Sequence, residues 1–339
     1  MRRHVCIAAI VAGAAGCNQS PTAPSGDGGR LLQGQTVSAI DGGAAAGVSV
    51  QVGSERPVTT DADGMFQVAV DGPETMSAVL SSNAIVERRT TLPAGGEGRV
   101  SLSLIPASFD LEAFDQIART ANSRLQRWTT PPRLVVVASV MNFRSSSEET
   151  FPATSEQMTD DEVGAMIAHL TEGLTVMTAG AFTGFASVDV ERPASGTRVA
   201  YMREGAIVAG RYNGVTTFAS TVGYGRWATQ GDGTVTGGAV VLDRDFDRDD
   251  SRRRLLRVHE LGHALGYQHV TTRTSIMNPV IGPEPTAFDR VAAAIAFQRP
   301  PGNRAPDTDP GATGSRSPFS MGAGGRSKWA PPAICGAMR

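Results

Sequence analysis

The chain has 339 residues, enough for two domains with sizeable cores, and its 40% hydrophobic and 19% charged content is ordinary for a globular protein. A formal net charge of -2 argues against nucleic acid as a partner and gives no sign of an anionic membrane patch. Past the N-terminus no apolar run reaches transmembrane length.

The first residues read as an address. Arg2 and Arg3 form a basic start, Val5 to Ala15 is an apolar run too short for a stable anchor, and Ala14-Ala15-Gly16-Cys17 closes it. That ending resembles a bacterial lipobox, whose cysteine becomes the lipidated first residue of the mature protein. Ala14 stands where leucine is usual, so cleavage by an ordinary signal peptidase stays open. Either route exports the chain, as an outer-membrane or cell-surface lipoprotein anchored through Cys17, or as a secreted or periplasmic protein. Residues 1–17 are thus expected to be signal, and 18–30 a Ser/Pro/Gly linker. With Cys6 lost and Cys17 lipidated, Cys335 remains alone, which rules out a disulfide framework. A lone thiol could reach a zinc, but an inert position in an irregular tail is the reading taken for Cys335.

Over residues 31–105, apolar runs of strand length alternate with turn residues: Gln35–Ile40, Val48–Val52, Met65–Val70 and Arg99–Ile105 are the clearest. Phe66, Val68 and Val70 alternate with polar or smaller neighbours, the pattern of a half-buried strand. Thr60-Asp61-Ala62-Asp63-Gly64 supplies the turn before it; a calcium role for Asp61 and Asp63 is the weaker reading. With Gly47-Val48-Ser49-Val50, this stretch resembles the carboxypeptidase regulatory-like domain. The resemblance implies an all-β sandwich acting as spacer or docking unit.

Next the period changes. Leu111, Phe114, Ile117, Ala118, Ala121 and Leu125 recur at helical spacing, so a helix from Ser108 to Trp128 is expected within a connecting segment, 106–130. Pro131-Pro132 stops it, and Leu134–Val140 reads as a central strand buried on both faces. Thr159-Asp160-Asp161-Glu162 is a capping box opening a helix whose core stripe is Val163, Met166, Ile167, Leu170 and Leu174. His169 lies off that stripe and is not read as a ligand. Ala186–Val190, Thr197–Met202 and Gly237–Asp243 add strands. The acidic run Asp243, Asp245, Asp247, Asp249 and Asp250 looks superficially like a calcium loop. However, Arg248 and Arg254 occupy the sixth and twelfth places, so the EF-hand pattern fails; calcium is the minor reading. Asp249 and Asp250 are expected to cap the helix that follows.

That helix carries the chemistry. His259-Glu260-Leu261-Gly262-His263-Ala264-Leu265-Gly266-Tyr267-Gln268-His269 holds three of the chain's five histidines. His259 and His263 are four apart and project from one helix face. Glu260 is rotated about 100° from His259, which puts its carboxylate beside a metal rather than on it. Gly266 can leave the helix with positive φ and let the chain return His269 as third ligand. Three protein ligands with one open position describe a catalytic zinc site, with Glu260 as the base for a water. Leu255, Leu256, Leu261 and Leu265 give the helix a face to bury. Phe288, Val291, Ala292, Ile295 and Ala296 read as a closing helix. From Pro300 on no period survives, and 300–339 reads as a disordered tail.

The eleven-residue motif resembles the zinc signature of the metzincin metalloproteases, most closely the matrixin branch. Ser275-Ile276-Met277-Asn278-Pro279 follows at a suitable distance, so the resemblance implies a methionine turn with Met277 packed beneath the imidazoles. No tyrosine ligand follows the methionine, and no cysteine-switch motif is present. The expectation is therefore an α/β (α+β) metzincin-type domain over 131–299, with a mixed twisted sheet and an active-site helix. It would hydrolyse peptide or protein substrates outside the cytoplasm with Zn2+. Two alternatives are a surface-binding or adhesin protein whose domain no longer cuts, and a zinc amidohydrolase acting on a non-protein amide. Oligomeric state is not legible.

Overall fold

The computed structural model describes residues 30–71, 75–93, 99–119, 123–145, 147–216, 221–312, 328–329 and 333–336. The expected signal with Cys17, and residues 18–29 of the expected linker, lie outside these residues; Arg30, the last of that stretch, opens the first strand. Among the described residues no helix is long and apolar enough to cross a membrane.

The first strands are β1 (Arg30–Ser38), β2 (Ser49–Val52), β3 (Val58–Thr59), β4 (Met65–Val70), β5 (Thr75–Ser81), β6 (Arg88–Pro93) and β7 (Arg99–Leu104). They form two sheets, in the orders β4-β1-β7 and β3-β2-β5-β6. In β4 the residues alternate strictly, with Phe66, Val68 and Val70 inside. These three join Val50, Val52, Leu80 and Leu104 in one core shared by both sheets. Asp61 accepts from the Asp63 and Met65 N–H groups, so it builds the turn before β4.

A short helix follows, α1 (Leu111–Ala118), capped by Asp110. The connecting helix is therefore shorter than the Ser108–Trp128 expected from periodicity. Arg119 leaves helical geometry at φ -126, and its guanidinium is drawn inward to donate to Asn303 Oδ1 at 2.6 Å. Leu125 is buried as expected, but from an irregular segment whose N–H donates to the Asn303 carbonyl.

The remaining chain forms β8 (Arg133–Asn142), β9 (Thr150–Gln157), α2 (Asp160–Met177), β10 (Val188–Glu191), β11 (Arg198–Ala200), β12 (Ala206–Asn213), β13 (Thr221–Thr229) and β14 (Val235–Asp243). Then come α3 (Arg244–Asp249), α4 (Arg253–Ala264), α5 (Ala287–Phe297), β15 (Lys328–Trp329) and β16 (Ala333–Gly336). The main sheet runs β11-β9-β8-β12-β14-β13-β15, with β10 added to β8 and β16 to β13. It is mixed: β12 is parallel to β8 and β14, whereas β13 is antiparallel to β14. β8 is sealed on both faces, as its apolar run predicts: Leu134 and Val136 enter one core, Val135 and Val137 the other. Thr159 and Glu162 make the reciprocal capping box at α2.

Two expectations are overturned here. The acidic run does not cap the motif helix: Asp243 caps a separate short helix, α3, and Asp247 is buried between Arg211 and Arg257. The N-cap of α4 is Arg252, with no side-chain cap. Nor is 300–339 wholly irregular. Residues 300–312 fold with Asn303, Asp307 and Asp309 buried, and β15 and β16 pair with β13. Hydrophobic periodicity could not reveal 300–312, because polar bonds rather than apolar burial hold it.

Those bonds tie both parts of the chain together. Arg299 pairs with Asp307 at 2.7 Å and donates to Ser103 Oγ of β7 at 2.7 Å. Arg88 of β6 pairs with Asp309 at 3.0 Å, and Thr90 donates to the same carboxylate at 2.7 Å. Ala39 and Ile105 also join the core beneath the helices.

Candidate metal centre

α4 lies across β13 and β14, and glycines set how closely. A Cβ added at Gly225 would meet His263 Cβ at 2.3 Å and the Glu260 carbonyl oxygen at 2.4 Å. On the other side, Gly173 of α2 leaves room for Val258 and Leu261. Thus α4 is gripped between the sheet and α2, with His259, Glu260 and His263 sealed from solvent. At its end Gly266 adopts φ 110 and the chain turns back, as the motif requires. Bulk there would also strike the Gln126 carbonyl, at 2.5 Å from an added Cβ.

The turn brings His269 to the helical pair. His263 Nε2 lies 3.1 Å from His259 Nε2 and 3.1 Å from His269 Nε2. One ligand atom from each ring falls within 4.8 Å of the others. The other ring nitrogens fix the tautomers. His259 Nδ1 donates to the Ile276 carbonyl at 2.5 Å, and His263 Nδ1 to the Tyr267 carbonyl at 2.7 Å. In the neutral rings both Nε2 atoms then carry lone pairs, and two facing lone pairs do not form a hydrogen bond. A cation among them turns that repulsion into ligation. Burial keeps the rings neutral: it pushes His259 down to about 3, and His263 and His269 below the usual histidine value. Neutral imidazoles converging at this spacing, with bond lengths of about 2.0–2.1 Å to the ion, fit a zinc site.

The loop below is equally ordered. Met277 is buried, and its sulfur lies 2.5 Å from where a Cβ on Gly262 would sit, under the backbone between the two helical histidines. Asp289 of α5 holds this turn from behind. It accepts from Ser275 Oγ and from the Ile276 N–H at 3.1 Å, while also closing the Thr286 capping box. A continuous path therefore runs from Asp289 through the Ile276 backbone, N–H on one side and C=O on the other, to His259 Nδ1, orienting the ring. Sequence reading missed Asp289; its place three residues after Thr286, opening an apolar helical run, was the available signal.

Glu260 stands beside the cluster. A Cβ added at Gly223 would lie 2.9 Å from its Oε1, so the carboxylate rests against the β13 backbone. β13 itself was missed because Gly223 and Gly225 interrupt its apolar alternation. Glycines within a strand signal close approach of another element, here α4. Away from the cluster, Arg257 pairs with Asp247 and donates to His169 Nδ1 at 3.1 Å. Arginine can only donate, so His169 is an acceptor there, apart from the histidine triad. Cys335 lies in β16, paired opposite Gly223 rather than in an irregular tail.

Residues 212–292 match the family model described as Matrixin, a stretch from the end of β12 into α5. No curated protein matches the chain. The match and the histidine cluster together support a metzincin-like domain of zinc-metalloprotease type.

Proposed function

We propose that this chain is a zinc endopeptidase of the bacterial cell envelope or exterior, and that His259, His263 and His269 hold its metal. The observation that carries this reading is the convergence of the buried imidazoles, with Nδ1 of two of them committed to carbonyls and their Nε2 atoms turned inward. Zinc, when bound, supplies a Lewis acid that makes water a nucleophile near neutral pH and polarises the peptide carbonyl. Glu260 accepts the proton as water adds to that carbonyl carbon, then returns it to the departing amine nitrogen as the C–N bond breaks. Met277 floors the ligands, and Asp289 fixes the turn that orients His259. An extended peptide would pair by its backbone with the outer edge of β13, the edge that β15 and β16 cover in this structure.

The domain over residues 31–105 is proposed to be the carboxypeptidase regulatory-like sandwich, and Cys17 the lipid anchor. Retention of the carboxylate at Glu260 favours a working enzyme over a binding-only domain. Glu260→Ala should keep about one equivalent of zinc and lose about 10²–10⁴ in cleavage of denatured casein. Cleavage at the wild-type rate would refute the role given to Glu260. Cleavage of cell-wall amides but not casein by wild type would favour the amidohydrolase alternative.

A further inference from the structure

β13 has two edges. One pairs with β14, and the other is covered by the chain's own downstream residues. Trp329 and Lys328 oppose Ala228 and Thr229; further along, Ala333, Ile334, Cys335 and Gly336 oppose Gly225, Tyr224, Gly223 and Thr221. The second stretch pairs at the level of the metal centre, because Gly223 and Gly225 are the residues where an added Cβ would strike Glu260 and His263. Opposed residues in an antiparallel pair have Cα atoms about 4.5–5.5 Å apart. The backbone from Ala333 to Gly336 therefore runs one strand spacing from Gly223 and Gly225.

We propose that Ala333–Gly336 is a built-in blocking strand: it occupies the edge on which a peptide substrate must pair and keeps the site closed until displaced. The proposal rests on the peptidase reading. One edge can pair with one strand at a time, and main-chain pairing is largely indifferent to sequence, so segment and substrate compete for the same donors and acceptors. Belonging to the same chain favours the segment, since its pairing is intramolecular whereas a substrate peptide must be captured from solution. A role limited to covering an aggregation-prone edge would need no pairing at the level of Glu260 and His263.

The test uses the full chain, zinc-loaded, in a Glu260→Gln background so that peptide is bound rather than cut. Ile334→Pro with Cys335→Pro removes two successive strand donors, so whichever faces β13 is lost. The probe is a fluorescein-labelled pool of casein decapeptides, read by anisotropy. If the segment covers the edge on roughly nine chains in ten, the proline variant should bind about tenfold tighter at unchanged zinc content. Hydrogen exchange should show the Gly223–Gly225 amides protected in the parent and faster in the variant. Equal affinity for peptide, or coil-rate exchange of the 333–336 amides in the parent, overturns the blocking strand while leaving the peptidase reading intact. If neither protein binds peptide although both carry zinc, the peptidase reading fails and the blocking strand with it. Cleavage of the wild-type chain between 333 and 336, found by mass spectrometry, would make the segment a substrate and also overturn the proposal.

Discussion

Around Asp307, donors meet acceptors: Arg299 pairs with its carboxylate, and Asn303 Nδ2 donates to it at 3.0 Å and to Asp309 Oδ1 at 2.7 Å. Around His263, like meets like, with the Nε2 atoms of His259 and His269 each at 3.1 Å. Both clusters lie within the same fold, and each is largely sealed from solvent. The first is complete in itself and ties the segment after α5 to β6 and β7. The second brings like groups together at a spacing that an ion fits. The contrast teaches that burial alone does not mark a site; converging ligand atoms of one kind under burial do.

The largest stability effect should come from the matched cluster. Arg299→Ala leaves Asp307 buried without its main partner and should cost about 3–5 kcal/mol, measured by denaturant unfolding. Zinc affinity of the folded fraction should stay as in wild type. A matching loss of affinity would show that the two clusters are not independent.

Asp289→Ala lies between the two regimes. Stripping the acceptor from the buried Ile276 N–H should cost about 1–3 kcal/mol. It should also weaken zinc about 10–100-fold through the path to His259, read by competition with a chelating dye. An unchanged zinc affinity would break that path.

Acid should separate the clusters further in metal-free protein. His259 is held neutral down to about 3 from an ordinary value of 6.5. Between those values the unfolded chain binds more protons than the folded one, so stability rises with pH. The contribution is fully present above 6.5 and is lost progressively as the pH falls toward 3, with His263 acting in the same direction. Thermal melts of the metal-free chain and of His259→Phe should differ in this slope. Parallel slopes would mean the ring is not buried neutral.

The smallest effect is expected for His269→Ala in metal-free protein. This half-buried ring packs for an ion rather than for the core, so stability should change by less than about 0.5 kcal/mol. A loss of several kcal/mol would make His269 a structural residue.

The site was more legible in the sequence than the scaffold around it. Histidine spacing and Gly266 carry their geometry locally, through helix pitch and one positive-φ turn, so the triad could be placed without tertiary information. β4, α2 and α5 were readable for the same reason, having clear periodicity or caps. Asp247, Asp289 and the 300–312 segment were not, because their partners lie far along the chain and polar matching leaves no period. α1 was overextended because Leu125 falls at helical spacing but is buried from an irregular segment. β13 was hidden by glycines whose purpose appears only when α4 is laid against them.

Zinc content of the purified, reconstituted full chain decides whether the three imidazoles hold a metal. Wild type and Glu260→Gln should each retain about one equivalent after dialysis, whereas His263→Ala, left with two ligands, should retain almost none. A His263→Ala chain that keeps its full equivalent, or a folded wild type that binds none, would mean that the histidine triad is not a zinc site.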